Sequence, residues 1–170
     1  MSLEPAFTIH PDTAAARGAA EQLFARIAVA LREMLPASAD IRHIGATAIP
    51  GCLTKGDLDI VVRVEPKDFT QADAALADRF ARNVGSVRTD SFSAFEDTAS
   101  LPPLGIQLTV VGGPYDDFHL FTDALTRDQQ LVAKYNELKM RFDGMPMNDY
   151  RSAKDSFIAE VLASFARSTD

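Results

Sequence analysis

An α+β fold is what this 170-residue sequence predicts: one mixed β-sheet flanked by helices, with a helical carboxy-terminal third. Three observations lead there. The β-branched, apolar stretches that read as strands all fall in the first two-thirds of the chain. Apolar residues recur at helical spacing before, between and after them. No repeat, linker or charge block divides the whole, so residues 1–170 read as one domain, long enough to bury a core.

The elements follow in order. Leu23, Ile27, Leu31 and Leu35 recur every fourth position, so residues 13–35 predict an amphipathic helix, capped by Asp12 or Thr13 and stopped by Pro36. A short strand is expected over residues 41–46 and, after a turn ending at Gly51, a second over residues 57–64. Pro66 suits the first turn of a helix with Phe69, Leu76 and Phe80 on its buried face and Gly85 at its end. Two further strands are expected over residues 87–97 and 106–111, separated by "SLPPLG". Residues 116–125 and 128–142 read as helices, the second with Leu131, Tyr135 and Leu138 in register. "DGMPMN" then breaks the pattern, and Asn148 is the expected cap of a last helix carrying Tyr150, Phe157, Val161 and Phe165. Short loops between neighbouring strands favour antiparallel pairing for part of the sheet.

Composition narrows the chemistry. With 46% hydrophobic and 24% charged residues the chain is ordinary for a globular protein. No apolar run approaches the ~18 residues of a membrane span, and "MSLEPAFTIHPD" lacks the basic start and apolar stretch of a signal peptide. The single cysteine, Cys52, excludes an internal disulfide framework and reads as a half-buried turn residue, so a reducing cytoplasm is the expected location. A net charge of −7 without a clustered basic run disfavours long nucleic acid as a partner. A small anion carried with a divalent cation stays compatible, because the metal supplies the missing positive charge.

The chemistry concentrates in "HIGATAIPGCLTKGDLDIVVRV", residues 43–64. Strand side chains alternate faces, so Asp57 and Asp59 are expected to point the same way, about 7 Å apart along the strand. Left alone they repel; a cation between them reverses that sign, and oxygen-only ligation suits Mg²⁺ completed by substrate phosphates, or Mn²⁺ in its place. The plainer alternative has Asp57 ending the turn after Gly56 while Asp59 faces water. Upstream, Gly45 permits close backbone approach and Thr47 supplies a hydroxyl, which together read as a phosphate cradle.

"HIGATAIPG" followed by "KGDLDIVV" resembles the GrpB-like family of the nucleotidyltransferase superfamily. Downstream, "DDFHLFTDALTRDQQLVAKYNELK" and "AKDSFIAEVL" resemble that family's carboxy-terminal helices. His43, Gly45, Thr47, Pro50, Gly51, Lys55 and Asp59 match its motif, and Asp57 matches the superfamily's first metal aspartate, where many GrpB-like members are apolar. Ala46 stands where the family has Ser. Gln107 and Thr109 stand where it often has histidines and where active superfamily enzymes carry a third carboxylate. Thr122 stands in place of a common Arg, with Asp123 retained. Glu96 or Asp97 is the alternative source of a third acid.

The resemblance implies a Mg²⁺-dependent nucleotidyltransferase acting on an NTP. Asp57 and Asp59 would be the catalytic metal ligands, with His43, Gly45, Ala46, Thr47, Lys55, Lys139 and Lys154 around the phosphates. The acceptor would be a small molecule or a protein side chain. The alternative is a degenerate module that binds nucleotide without transfer, and a third reading leaves the aspartates as surface charge. A histidine on a short strand is more often structural, so His43 carries both readings. His119 reads as a helix-face residue, His10 lies in a start expected to be flexible, and the three histidines show no zinc spacing.

Overall fold

The computed structural model describes residues 3–168. Helix α1 (Thr13–Met34) starts where Asp12 accepts a hydrogen bond from the Ala15 amide at 3.0 Å, which satisfies one of the first turn's unpaired donors. It ends ahead of Pro36, which cannot continue the helical ladder. Strands β1 (Asp40–Ile44) and β2 (Leu58–Val64) pair antiparallel, and helix α2 (Phe69–Arg79) follows. Then come β3 (Ala81–Arg82), β4 (Phe92–Asp97) and β5 (Leu104–Val110). The sheet order is β1-β2-β5-β4-β3, with β2 and β5 parallel and every other pair antiparallel. Helices α3 (Phe118–Arg127), α4 (Gln129–Phe142) and α5 (Met147–Ser168) make up the carboxy-terminal third.

The alternation of the two central strands sorts their faces. Leu58, Ile60, Val62 and Val64 of β2, with Leu104, Ile106, Leu108 and Val110 of β5, form the core with α1 and α2. Each such aliphatic side chain, removed from water, stabilises the fold by roughly 1.5–3 kcal/mol. The opposite face carries Asp59, Arg63, Gly105, Gln107 and Thr109, and the helical third lies over it. Helix α3 is docked there by Arg63, whose guanidinium donates to both carboxylate oxygens of Asp116 (2.6 and 2.8 Å) and to Asp40 (2.9 Å). This pairing also explains why α3 begins at Phe118 rather than at the expected Asp116: that carboxylate is taken up by Arg63 and the Gly112 amide.

Three sequence expectations need correcting. The second helix stops at Arg79 instead of running to Gly85, because Ala81 and Arg82 pair with Glu96 and Phe95 of β4. Arg82 anchors that switch, donating to Asp73 at 2.9 and 2.7 Å and stacking 5.1 Å above Phe95. Strand β4 accordingly begins at Phe92, not at Val87, after a turn at residues 83–86. Asn148 is not a cap but lies inside the first turn of α5, where its amide donates to Glu4 at 2.7 Å.

The amino-terminal segment, expected to be flexible, is a strap. Pro5 and Phe7 exchange backbone hydrogen bonds with Met147, Met145 and Gly144, and the His10 amide donates to Thr54. Phe7 is 1% exposed, its ring stacked 3.7 Å from that of Tyr150. The buried ring and the backbone hydrogen bonds together offset the entropy of ordering the segment. Phe7→Ala is expected to destabilise the chain by about 3–5 kcal/mol, read as a lower urea midpoint.

Candidate functional site

Where β1 ends, Gly45 turns the chain with φ 78°, ψ −170° into a 3-10 turn over Ala46–Ala48. The backbone returns through Lys55 and Asp57 to open β2. Between this corner and the helical third lies a cavity of about 310 Å³. Gly45, Ala46, Lys55, Asp57, Asp59 and Gln107 line its sheet side, and Thr122, Tyr135, Lys139 and Lys154 face them from the helices.

Both aspartates reach this cavity by different routes. Asp57 lies one residue ahead of β2, and its carboxylate pairs with Lys55 at 3.0 Å. Asp59 lies within the strand, in register with Ile44 of β1 and Gly105 of β5. Its carboxylate fills the room those strands leave. A Cβ on Gly45 would stand 3.1 Å from Asp59 Oδ2, and one on Gly105 would stand 2.9 Å from Oδ1. Only glycine fits either position without displacing the carboxylate. Burial pushes the Asp59 acid above its usual value; the Lys154 charge works against that and the Asp57 charge adds to it. Among the described residues no hydrogen-bond donor or cation contacts the Asp59 carboxylate directly.

The other sequence candidates divide. Thr47 is buried outside the cavity. Its hydroxyl donates to the Asp57 carbonyl at 3.0 Å, and so accepts from His43 Nε2 at 2.8 Å. His43 itself packs against Phe24 of α1, on the far side of the sheet from the cavity. These two residues position Asp57 and do not face a ligand. Thr122 accepts the Gly45 amide proton at 3.1 Å, so the residue in place of the family's Arg pins the glycine turn. The amides of Ala46 and Thr47, which open the 3-10 turn, have no intrahelical acceptor.

The lysines divide too. Lys55 and Lys154 are accessible at the cavity, whereas Lys139 is 1% exposed. Its ammonium donates to the Leu53 carbonyl and to Cys52 Sγ (3.4 Å), and sits 4.0 Å from the centre of the Tyr135 ring. Burial lowers its pKa to about 8, against the opposing influence of Cys52. Burial likewise pushes the Cys52 thiol up, as befits a packed residue and not a nucleophile. Glu96 shares the face of Asp59, one strand beyond Gly105, but lies outside the cavity lining, and Asp97 points to the other face. His10 accepts the Asp12 amide, His119 lies 3.8 Å from Asp116, and Asp123 lies 4.0 Å from Arg42.

No three His, Cys, Asp or Glu side chains among the described residues gather closely enough to hold a metal by themselves. What the sheet side of the cavity offers is two carboxylates, the inner one without a direct cationic partner, with Asp117 and Asp155 on the facing wall. That set fits a Mg²⁺ ion that brings its own waters and phosphate oxygens, and not a closed protein cage. Sequence reasoning missed Gly105, because "SLPPLG" read as loop up to that residue. A lone glycine beside a strand was the available signal.

The family model for GrpB protein matches residues 14–164. A UPF0157 protein of Vibrio cholerae serotype O1 is 33% identical over 143 residues, which are 84% of this chain and 75% of that one. The crystal structure of conserved protein GrpB from Enterococcus faecalis superposes with a TM-score of 0.71 at 18% identity, covering 89% of this chain and 94% of the other. Cid1 poly(U) polymerase, with Mg and 3′-dATP bound, superposes with a TM-score of 0.51 at 12% identity, covering 76% of this chain and 41% of Cid1. At such identities the two structural likenesses show the fold, a nucleotidyltransferase-like α+β architecture. No helix among the described residues is long and apolar enough to cross a membrane.

Lys139 gives the fold a distinct alkaline signature. Its pKa is near 8 when folded and returns to 10.5 when unfolded, so between these values the unfolded chain binds more protons and stability rises with pH. The expected gain is on the order of 1–2 kcal/mol between about pH 8 and about pH 9.5. Cys52, raised by burial, acts in the opposite direction over part of this range. Because Cys52 contacts Lys139, the lysine is isolated by comparing Cys52→Ala with Cys52→Ala/Lys139→Met by urea unfolding at both pH values. Equal slopes in the two proteins would refute the assignment.

Proposed function

The chain belongs to the GrpB family, and from that premise we propose that it is a small Mg²⁺-dependent nucleotidyltransferase that moves a nucleotidyl group from an NTP to a small-molecule or protein acceptor. The observation that carries this reading is the Asp59 carboxylate, half-buried, without a direct cationic partner, and lining with Asp57 a cavity that has two accessible lysines. A charge so placed destabilises the fold unless something positive comes to it.

Asp57 and Asp59 would hold Mg²⁺, or Mn²⁺ in its place. The bound ion would neutralise charge on the phosphate chain and draw it against the Gly45–Ala46 corner. The protein's own contribution is positioning. Thr47 fixes Asp57 through its carbonyl, Thr122 fixes the glycine turn, and Lys55 and Lys154 offer charge to the triphosphate. An acceptor attacking the α-phosphorus in line would release pyrophosphate. A net charge of −7 favours a compact acceptor over long nucleic acid.

A second reading, a nucleotide-binding module without transfer, is favoured by Gln107 on the β5 face beside Asp59 and by the lack of a three-acid group among the described residues.

Titration of ATP, GTP, CTP and UTP with and without Mg²⁺ tests both. Wild type is expected to bind at least one nucleotide in a metal-dependent way, and Asp59→Asn to lose roughly tenfold or more in affinity, about 1.4 kcal/mol. Gly105→Ala, which pushes a methyl into the carboxylate, is expected to weaken binding comparably while the chain stays folded by circular dichroism. If no nucleotide shows metal-dependent binding, both readings fall.

A further inference from the structure

Resting on the transfer reading above, we infer that the acceptor at this site is an oxygen nucleophile that arrives already ionised, a carboxylate or a phosphate monoester, and not a neutral hydroxyl.

A hydroxyl that attacks phosphorus must give up its proton to a group facing it. The two sheet acids in the cavity are the ones assigned to the cation. The next cavity-facing side chain on β5 is Gln107, whose Nε2 lies 3.7 Å from the point above Gly105 that Asp59 Oδ1 approaches to 2.9 Å. A carboxamide donates and accepts hydrogen bonds but takes no proton near neutral pH. Asp117, just ahead of α3, and Asp155 of α5 also border the cavity, on the wall that faces the sheet, and the inference requires that neither takes the acceptor's proton. Glu96 shares the sheet face but lies outside the cavity lining.

What the cavity does present is suited to an anion. Lys154 faces it with no carboxylate of the described residues within ion-pair distance, and Gln107 adds an amide donor on the opposite wall. A cation and an N–H donor bind a carboxylate or phosphate oxygen through charge-assisted hydrogen bonds. The step then balances without a base. One acceptor oxygen bonds to the α-phosphorus as the bond from that phosphorus to the bridging oxygen breaks. The electron pair leaves with pyrophosphate, the product is an anhydride, and no proton is transferred.

The test measures pyrophosphate release with Mg²⁺ and whichever nucleotide wild type binds, offering succinate, glycerol 3-phosphate or glycerol. Release is expected with succinate or with glycerol 3-phosphate, the two arms separating carboxylate from phosphate chemistry. Glycerol should give only the acceptor-free rate, and the succinate-supported rate should be flat from about pH 6.5 to about pH 7.5. Gln107→Glu should open the reaction to glycerol by roughly tenfold, with a rate that rises with pH, while Glu96→Gln, Asp117→Asn and Asp155→Asn leave the wild-type rate unchanged. As a readout apart from turnover, calorimetry on the nucleotide-free chain should show the accepted anion binding, weakened roughly tenfold in Lys154→Met. Release with glycerol in wild type, loss of release in any of the three acid variants, or nucleotide binding without release to either anion would overturn the inference while leaving nucleotide binding intact. Absence of metal-dependent nucleotide binding would instead remove the reading on which it rests.

Discussion

The seat of the Asp59 carboxylate above Gly105 is the constraint around which this corner of the molecule is organised. The turn after β1 and strand β5 each give up a side chain to admit it, and neither supplies a charge to balance it. Because its folded-state acidity is weakened, the folded chain holds that proton to higher pH than the unfolded chain does. Ionising it as pH rises past the unfolded-chain value therefore lowers stability. Perturbed acids of this kind cluster at functional sites, and a cation is the ligand that would relieve this one.

That seat is held by a relay of ordinary interactions. Arg63, on the same face of β2, clamps Asp116 and so docks α3 over the sheet. Docked α3 brings Thr122 to the Gly45 amide, which fixes the turn against the carboxylate. On the other side of the strand, His43 and Thr47 hold the Asp57 carbonyl. Meanwhile the alternate residues of β2 and β5 face α1 and α2 and supply the apolar burial that makes the strained arrangement affordable.

Strong periodicity made most of the fold legible in advance. The fourfold apolar spacing of α1 and the β-branched run of β2 leave few alternatives, and the acids were visible at the mouth of that strand. Long-range features were hidden. Nothing local announces that Arg82 will reach Asp73 and cut α2 short, or that Glu4 will supply the carboxylate that meets α5. The site divided along the same line. Residues adjacent in sequence, Gly45 to Asp59, could be grouped by motif and Gln107 by the family resemblance, but the opposing Gly105 depends on parallel register, which no short-range pattern records. Lys139, expected around the phosphates, is instead buried, because a carbonyl and a thiol from the distant segment at Cys52 and Leu53 take its ammonium.

The amino-terminal strap has a consequence for how the molecule comes into being. Glu4 and Asn148 stand 144 positions apart, and Phe7 meets Tyr150 over a similar span. During synthesis the first residues must wait for nearly all the others before this wall of the cavity can close. The sheet and its first two helices can collapse earlier, on shorter loops. The cavity corner is thus a late product of maturation, and a chain cut short before α5 would carry the aspartates but lack the helical wall that faces them.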